Sequence, residues 1–222
     1  MTWPRSSASD FLVGVVVSDE LVLASTSPRR RELLNAAGFN PIVIAPSVDD
    51  GGLTIRASHA REDCCAVAWF KAAQITRDLG RLKSLAPTSR IVLSADTVCV
   101  LSGRVIGKPR DSAHARELLE STRNQTQRVV TGVCLIHLAD DSRTMIADCV
   151  DVHFGAISDR QLTEHLERGG WRGRAGGYNL AEIVAAGWPV TYSGDETTVI
   201  GLPMRLLVPL LVRLLRVRED ES

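Results

Sequence analysis

The sequence carries no surplus charge of either sign. Its 26 Lys and Arg are matched by 26 Asp and Glu, for a formal net charge of zero. A non-specific nucleic-acid binder needs a basic field, so the balance argues against that class. Long hydrophobic runs are also missing, and no segment is long enough to span a bilayer. The apolar stretch Phe11-Leu12-Val13-Gly14-Val15-Val16-Val17 has no basic lead beyond Arg5, and Asp10 interrupts its approach. It does not read as a signal peptide. Residues 1–18 read as a frayed extension, 19–215 as one folded domain and 216–222 as a loose charged tail.

Several motifs are absent too. The five cysteines are odd in number and form no CxxC pair, and the five histidines show no ligand spacing relative to them. That argues against a zinc site. Cys99 and Cys134 sit in apolar, strand-like runs and read as buried thiols of a reducing cytoplasm. No G-x-S-x-G is present, so a hydrolase nucleophile elbow is not indicated. The glycine-rich loop of a Walker motif is missing. The glycines around Arg168-Gly169-Gly170-Trp171-Arg172-Gly173 do not follow a clear strand and are no dinucleotide fingerprint. Neither an internal repeat nor a low-complexity linker occurs.

What is present is a hydrophobic fraction of 45%, ample for a sizeable core. Residues 21–24 read as a buried strand, and 28–38 as a helix closed by Gly38, with Ser27 as N-cap and Pro28 in the first turn. A second strand is expected from Pro41 to Ala45, and a long helix from about Ser58 to Leu79, stopped by Gly80. The run Ile91–Leu101 is apolar but broken by Asp96-Thr97, and Ser102-Gly103 suggests a hairpin turn. Asp111 caps a further helix. Val129–Leu138 and Thr144–Phe154 read as long strands, and Ser158 caps a short helix. The segment 169–177 reads as a mobile loop. A last helix runs from Pro203 through Pro209, where a kink is expected. Strands and helices mix without strict alternation, which predicts an α/β fold with a mixed sheet and flanking helices.

Leu23-Ala24-Ser25-Thr26-Ser27-Pro28-Arg29-Arg30-Arg31 ends a strand in three hydroxyl residues and starts a helix with three arginines. Backbone N–H groups, hydroxyls and guanidinium forks at one helix N-terminus can cradle a polyphosphate. An ordinary capped helix with solvated arginines is the alternative. Asp96 is a charge in an apolar run, which is costly to bury unless paired or metal-bound. It reads either as a metal ligand or general base at a strand end, or as a turn-capping carboxylate. Asp49 and Asp50 are either a solvated turn or further carboxylates that, with Asp96, could hold Mg²⁺. Lys108, in Gly107-Lys108-Pro109-Arg110-Asp111, suits a point contact with phosphate or is a surface lysine. Lys71 lies in an apolar helical stretch, where it either snorkels to solvent or points into a cleft.

Taken in order, seven segments resemble the Maf family of nucleoside triphosphate pyrophosphatases. They are Leu23–Arg30, Val48-Asp49-Asp50, Lys71-Ala72, Ser94-Ala95-Asp96-Thr97, Gly107–Asp111, Val130-Thr131-Gly132-Val133 and Val199-Ile200-Gly201-Leu202-Pro203-Met204. The resemblance implies a fold similar to the inosine triphosphate pyrophosphatases, with an elongated mixed sheet and two lobes around a cleft. It implies metal-dependent hydrolysis of a nucleoside triphosphate to the monophosphate and pyrophosphate, with Mg²⁺ or Mn²⁺ as the cation. By the same resemblance, Ser25, Arg29, Arg30 and Thr97 bind substrate, Lys71 and Lys108 neutralise the phosphates, and Asp50 and Asp96 hold metal. Asp96 also activates the attacking water.

One segment departs from the family pattern. Where many members read Ala-Gly-Ala-Tyr-Gly-Ile-Gln-Gly, this chain reads Ala175-Gly176-Gly177-Tyr178-Asn179-Leu180-Ala181-Glu182. The family glutamine is Ala181 here, with Asn179 or Glu182 as candidate substitutes. Ser-Pro-Arg-Arg and Ala-Asp-Thr look like the branch acting on dTTP and UTP rather than on 7-methyl-GTP. A nucleotide-binding regulator of septum formation with little turnover is the other reading. The expected partner is a nucleotide, with no nucleic acid and no membrane; a homodimer is possible.

Overall fold

The computed structural model describes residues 17–48 and 52–216. Its strands are β1 (Val17–Leu23), β2 (Phe39–Val43), β3 (Ile91–Leu101), β4 (Arg104–Ile106), β5 (Thr126–His137), β6 (Arg143–Phe154) and β7 (Val190–Ser193). Its helices are α1 (Pro28–Ala36), α2 (Ala60–Arg77), α3 (Leu79–Leu85), α4 (Ser112–Ser121), α5 (Asp159–Glu167), α6 (Leu180–Ala185), α7 (Glu196–Ile200) and α8 (Met204–Arg216).

The strands form one mixed sheet in the order β2-β1-β3-β5-β6-β7, with β4 paired beside β3. β1 runs parallel to β2 and β3; the remaining pairs are antiparallel. At the β1 end both faces of the sheet are covered, so the last residues of β1, Leu21, Val22 and Leu23, are apolar in succession rather than alternating. Leu21 and Leu23 face α1 and α8 with Leu34, Leu93 and Leu211, while Val22 faces α2 with Ala68, Ala72 and Val92. The far halves of β5 and β6 carry a second core, in which Leu119, Val152, Phe154, Leu162, Ile183 and Trp188 pack together. The molecule is therefore a mixed α/β fold with two lobes, and a cleft lies between them.

Gly132 on β5 sets the distance between sheet and helix. A Cβ there would lie 2.5 Å from the Cys65 backbone nitrogen of α2. Only a glycine lets this helix lie directly on the strand.

The structure departs from the sequence reading in several places. β3 is not broken at Asp96-Thr97, because β5 pairs with it on both sides of that point. Gly80 does not stop a helix. α2 ends at Arg77, and the Asp78 carboxylate accepts from the Arg81 N–H at 3.0 Å to start α3, which contains Gly80. The segment read as a mobile loop is a series of turns tied at several points, including Gly176 N–H to the Gly107 carbonyl at 3.1 Å and Arg174 to the Gly170 carbonyl at 2.7 Å. α6, β7 and α7 were not expected: they are four to six residues long, too short to show a period. Cys99 and Cys134 are buried free thiols in strands, as expected. Among the described residues no helix is long and apolar enough to cross a membrane.

Candidate active site

The end of β1, the start of α1, the middle of α2 and the centre of β3 meet at one cavity of about 250 Å³. Ser25, Arg29, Arg30, Lys71, Asp96, Thr97 and Lys108 all line it, so seven residues singled out from the sequence come together. Asp50 lies outside the described residues; the chain as far as Val48 is strapped to α2 by two 2.8 Å bonds with the Gln74 side-chain amide.

Lys71 is 5% exposed and does not snorkel. Its ammonium donates to Asp96 Oδ1 at 2.8 Å. Asp96 is thus a paired carboxylate in the middle of a strand, not a turn cap. Its charge is met by a helix that Gly132 allows to approach.

The two candidate arginines differ. Arg30 is buried. Its Nε donates to the Gly201 carbonyl at 3.0 Å, one Nη to Ser25 Oγ at 3.3 Å and the other to Thr97 Oγ1 at 3.1 Å. Arg29 is half-buried, and burial chiefly, with the charge of Arg174 next, lowers its pKa from the usual value. Arg31, one residue on, is exposed and does not line the cavity. Ser27 occupies the N-cap position of α1, but its side chain makes no capping bond. Ser25 Oγ instead accepts the Ser27 N–H at 3.2 Å as well as Arg30.

Four cations and one carboxylate thus face the cavity among the described residues. Such a lining can take a small, highly charged anion. The lining is not only polar: Cys99, Val129, Tyr178, Leu180, Val199 and Ile200 give it an apolar portion. The Tyr178 hydroxyl donates to Gln127 Oε1 at 2.7 Å, and its ring meets Phe154 edge-on at 5.2 Å. Burial pushes the phenol pKa well above its usual value, so the ring stays neutral. A cation-lined portion beside an apolar portion has the chemistry to meet the two halves of a nucleotide.

The departing segment is also accounted for. Ala181 is exposed on α6 and does not line the cavity. Glu182 is held by both terminal nitrogens of Arg174, at 2.5 and 2.8 Å. Asn179 does line the cavity, and its Oδ1 accepts the Glu182 N–H at 3.2 Å as the cap of α6.

Some residues of the site were given no role by the sequence reading. Thr131 and Thr198 are fully buried behind Thr97, and Gln127 lies behind Tyr178. A polar residue inside a buried apolar strand must be hydrogen-bonded, and Thr131 in Val129-Val130-Thr131-Gly132-Val133 carries that signal.

The family model described as Maf-like protein matches residues 20–214. A Brucella abortus protein named dTTP/UTP pyrophosphatase is 36% identical over 195 residues, which cover 88% of this chain and 91% of that protein. A Pyrococcus furiosus protein of the same name is 33% identical over 193 residues, 86% of this chain and 94% of that one. A Salinispora tropica protein named nucleoside triphosphate pyrophosphatase is 33% identical over 196 residues, 87% and 83% of the two chains. Matched by that family model over nearly all of its described length and by these relatives over most of the chain, this chain belongs to the Maf family.

Proposed function

We propose that the chain is a divalent-metal-dependent pyrophosphatase that converts dTTP or UTP to the monophosphate and pyrophosphate. The observation that carries the reading is the buried Lys71–Asp96 ion pair in a cavity walled by Arg29, Arg30 and Lys108. The relatives' names support it.

In this reading the triphosphate lies against Ser25, Arg29 and Arg30 at the start of α1, with Lys71 and Lys108 as point charges. Little covalent chemistry falls to the protein in such reactions; position and charge neutralisation dominate. Water attacks the α-phosphorus, the bond from that phosphorus to the α–β bridging oxygen breaks, and pyrophosphate leaves with the bridging oxygen. Asp96 takes the water's proton. Lys71 engages one carboxylate oxygen at 2.8 Å and so orients the group towards the cavity.

Mg²⁺ and Mn²⁺ take hard oxygen ligands, commonly one or two carboxylates plus substrate phosphates. The Asp96 carboxylate in this cavity fits that demand, and Asp50 is the second protein ligand in the proposal. When bound, the cation would offset phosphate charge and polarise the phosphorus centre. The reading places the protein in the cytoplasm, in keeping with its free cysteines.

Asn179 reads the base. Its Oδ1 must face the Glu182 N–H, because only an acceptor can, so its Nδ2 is left as a donor. Uracil and thymine offer carbonyl oxygens at both C2 and C4, whereas cytosine carries an amino group at C4.

The test is pyrophosphate release from dTTP, UTP, CTP and 7-methyl-GTP with Mg²⁺. Release from dTTP and UTP ahead of the others is expected. No release from any of the four would refute the enzyme reading.

A further inference from the structure

Arg30 reaches the cavity from the end of a chain of hydroxyl groups. Its guanidinium Nη donates to Thr97 Oγ1 at 3.1 Å. Thr97 Oγ1 is 2.8 Å from Thr131 Oγ1, a pair in which either hydroxyl could be the donor. Thr131 Oγ1 is 2.7 Å from the Thr198 carbonyl oxygen. A carbonyl can only accept, and a hydroxyl has one proton. Thr131 must therefore give its proton to Thr198. It can then only accept from Thr97, and Thr97 in turn can only accept from Arg30. The direction of every bond is fixed by the two ends, a cation at one and a carbonyl at the other.

The far end is anchored. Thr198 is fully buried on α7, and its hydroxyl donates to Asp148 Oδ2 at 2.6 Å. Asp148 on β6 is the register partner of Thr131 on β5. A second path joins the same elements: Arg30 Nε donates to the Gly201 carbonyl, just past α7, at 3.0 Å. Gly201 has φ of 135°, and a Cβ there would come within 3.2 Å of Arg30 Nε. A side chain would thus be strained and crowded at this point.

We propose that Thr97 and Thr131 are positioning residues that hold the Arg30 fork at the angle needed for a phosphate group. Thr97 has no proton to offer a phosphate oxygen, so it acts on the substrate through Arg30 and not directly. The inference rests on the reading of the cavity as a triphosphate site. It reaches beyond that reading by giving a role to a buried strand residue that does not line the cavity. Bonds to an ionised donor are stronger than neutral ones, and chains of bonds polarise one another. Arg30, so tethered, presents its fork without first ordering a flexible side chain.

The test is a double-mutant cycle in the full-length protein, with Thr131→Val, Thr131→Ser and Arg30→Lys. Two readouts are taken: kcat/KM for UTP, and calorimetric affinity for inorganic tripolyphosphate, which needs no turnover. Lysine cannot make the fork. Thr131→Val is expected to lower both by about tenfold in the natural background and by less than about twofold beside Arg30→Lys. Thr131→Ser keeps the hydroxyl and should restore both. A merely structural Thr131 would cost the same factor in both backgrounds, and that result overturns the proposal, as does no loss at all. If Thr131→Val does not fold, Thr97→Val with Thr97→Ser runs the same cycle. Absence of turnover in the natural protein would sink the enzyme reading, while the tripolyphosphate cycle would still decide this one.

Discussion

Two walls of one cavity are built differently. The wall with Ser25, Arg30, Lys71 and Asp96 comes from a strand end, two helices and the centre of an eleven-residue strand. Its charges are tied to each other, to hydroxyl groups or to backbone on neighbouring elements. The opposite wall, around residues 173–180, comes from turns and the start of a six-residue helix. Its polar groups are used largely within the segment, Arg174 on Glu182 and Asn179 on the α6 N-terminus. The first wall is fixed in place by the sheet and suits chemistry that cannot tolerate displacement. The second can change sequence while keeping its turns, and it suits the choice of base.

The sharpest way to break this contrast is at Asp96. Asp96→Asn removes the proposed base and the carboxylate that the Lys71 ammonium meets at 2.8 Å. Turnover should fall by about 10³-fold, within the range for loss of a general base. Stability should fall as well, since the buried Lys71 ammonium loses its ion pair with Asp96. Steady-state kinetics and denaturant melts measure the two effects. Near-normal turnover at saturating Mg²⁺ would show that Asp96 is not the base.

The next effect is at the arginines. Arg30→Lys should lower kcat/KM by about 100-fold, because three directed bonds and the fork are lost together. Arg29→Lys should cost about tenfold, since Arg29 has no described hydrogen bond to lose but meets the same anion. Arg31→Lys, on an exposed side chain a further 100° around the helix, should be neutral. Equal losses at all three would replace a built site by a diffuse electrostatic field.

Smaller changes are expected on the second wall. Asn179→Asp still caps α6 but removes the amide donor. The ratio of kcat/KM for UTP over CTP should fall by about tenfold, a hydrogen-bond-sized effect. The ratio is the right readout because the added charge weakens every nucleotide. An unchanged ratio would mean that Asn179 does not read the base.

The smallest effect is one of pH. His165 on α5 is held neutral chiefly by burial, which lowers its pKa; Arg174 and Arg168 push the same way, Glu182 and the bond to the Gly177 carbonyl the other. A folded pKa below the unfolded value of about 6.5 means that the unfolded chain binds the extra proton first. The stability contributed is full above the unfolded pKa and is lost as pH falls through it towards the folded one. Melting temperature should therefore drop on acidification below about pH 6.5, and less so in His165→Gln, which keeps a donor for Gly177. Parallel pH profiles would remove His165 from the account.

Much of the first wall was legible in the sequence because regular elements announce themselves. The hydroxyl-rich end of an apolar run followed by proline and arginines places Ser25 and Arg30, and a lone aspartate in an apolar strand asks for a partner. What the sequence does not state is which partner. That Lys71 meets Asp96 follows from the close approach at Gly132, a three-dimensional fact. Gly80 misled because a glycine within a helix and one that ends a helix look alike in one dimension, and the Asp78 cap decided between them. The second wall was less legible because α6, β7 and α7 are too short for periodicity, and its turns are held by contacts such as Gly176 to Gly107 that lie far apart in the chain. The hydroxyl chain behind Arg30 was hidden for the same reason, apart from the single hint of a threonine in a buried strand.

The central claim is attack by water on the α-phosphorus in a cavity organised by Lys71, Asp96 and Arg30. Turnover of UTP with Mg²⁺ in oxygen-18 water, followed by phosphorus NMR or mass spectrometry of the products, tests it most directly. The account predicts UMP and pyrophosphate, with the heavy oxygen in UMP and none in pyrophosphate. UDP and inorganic phosphate as products, or label in pyrophosphate, would contradict it.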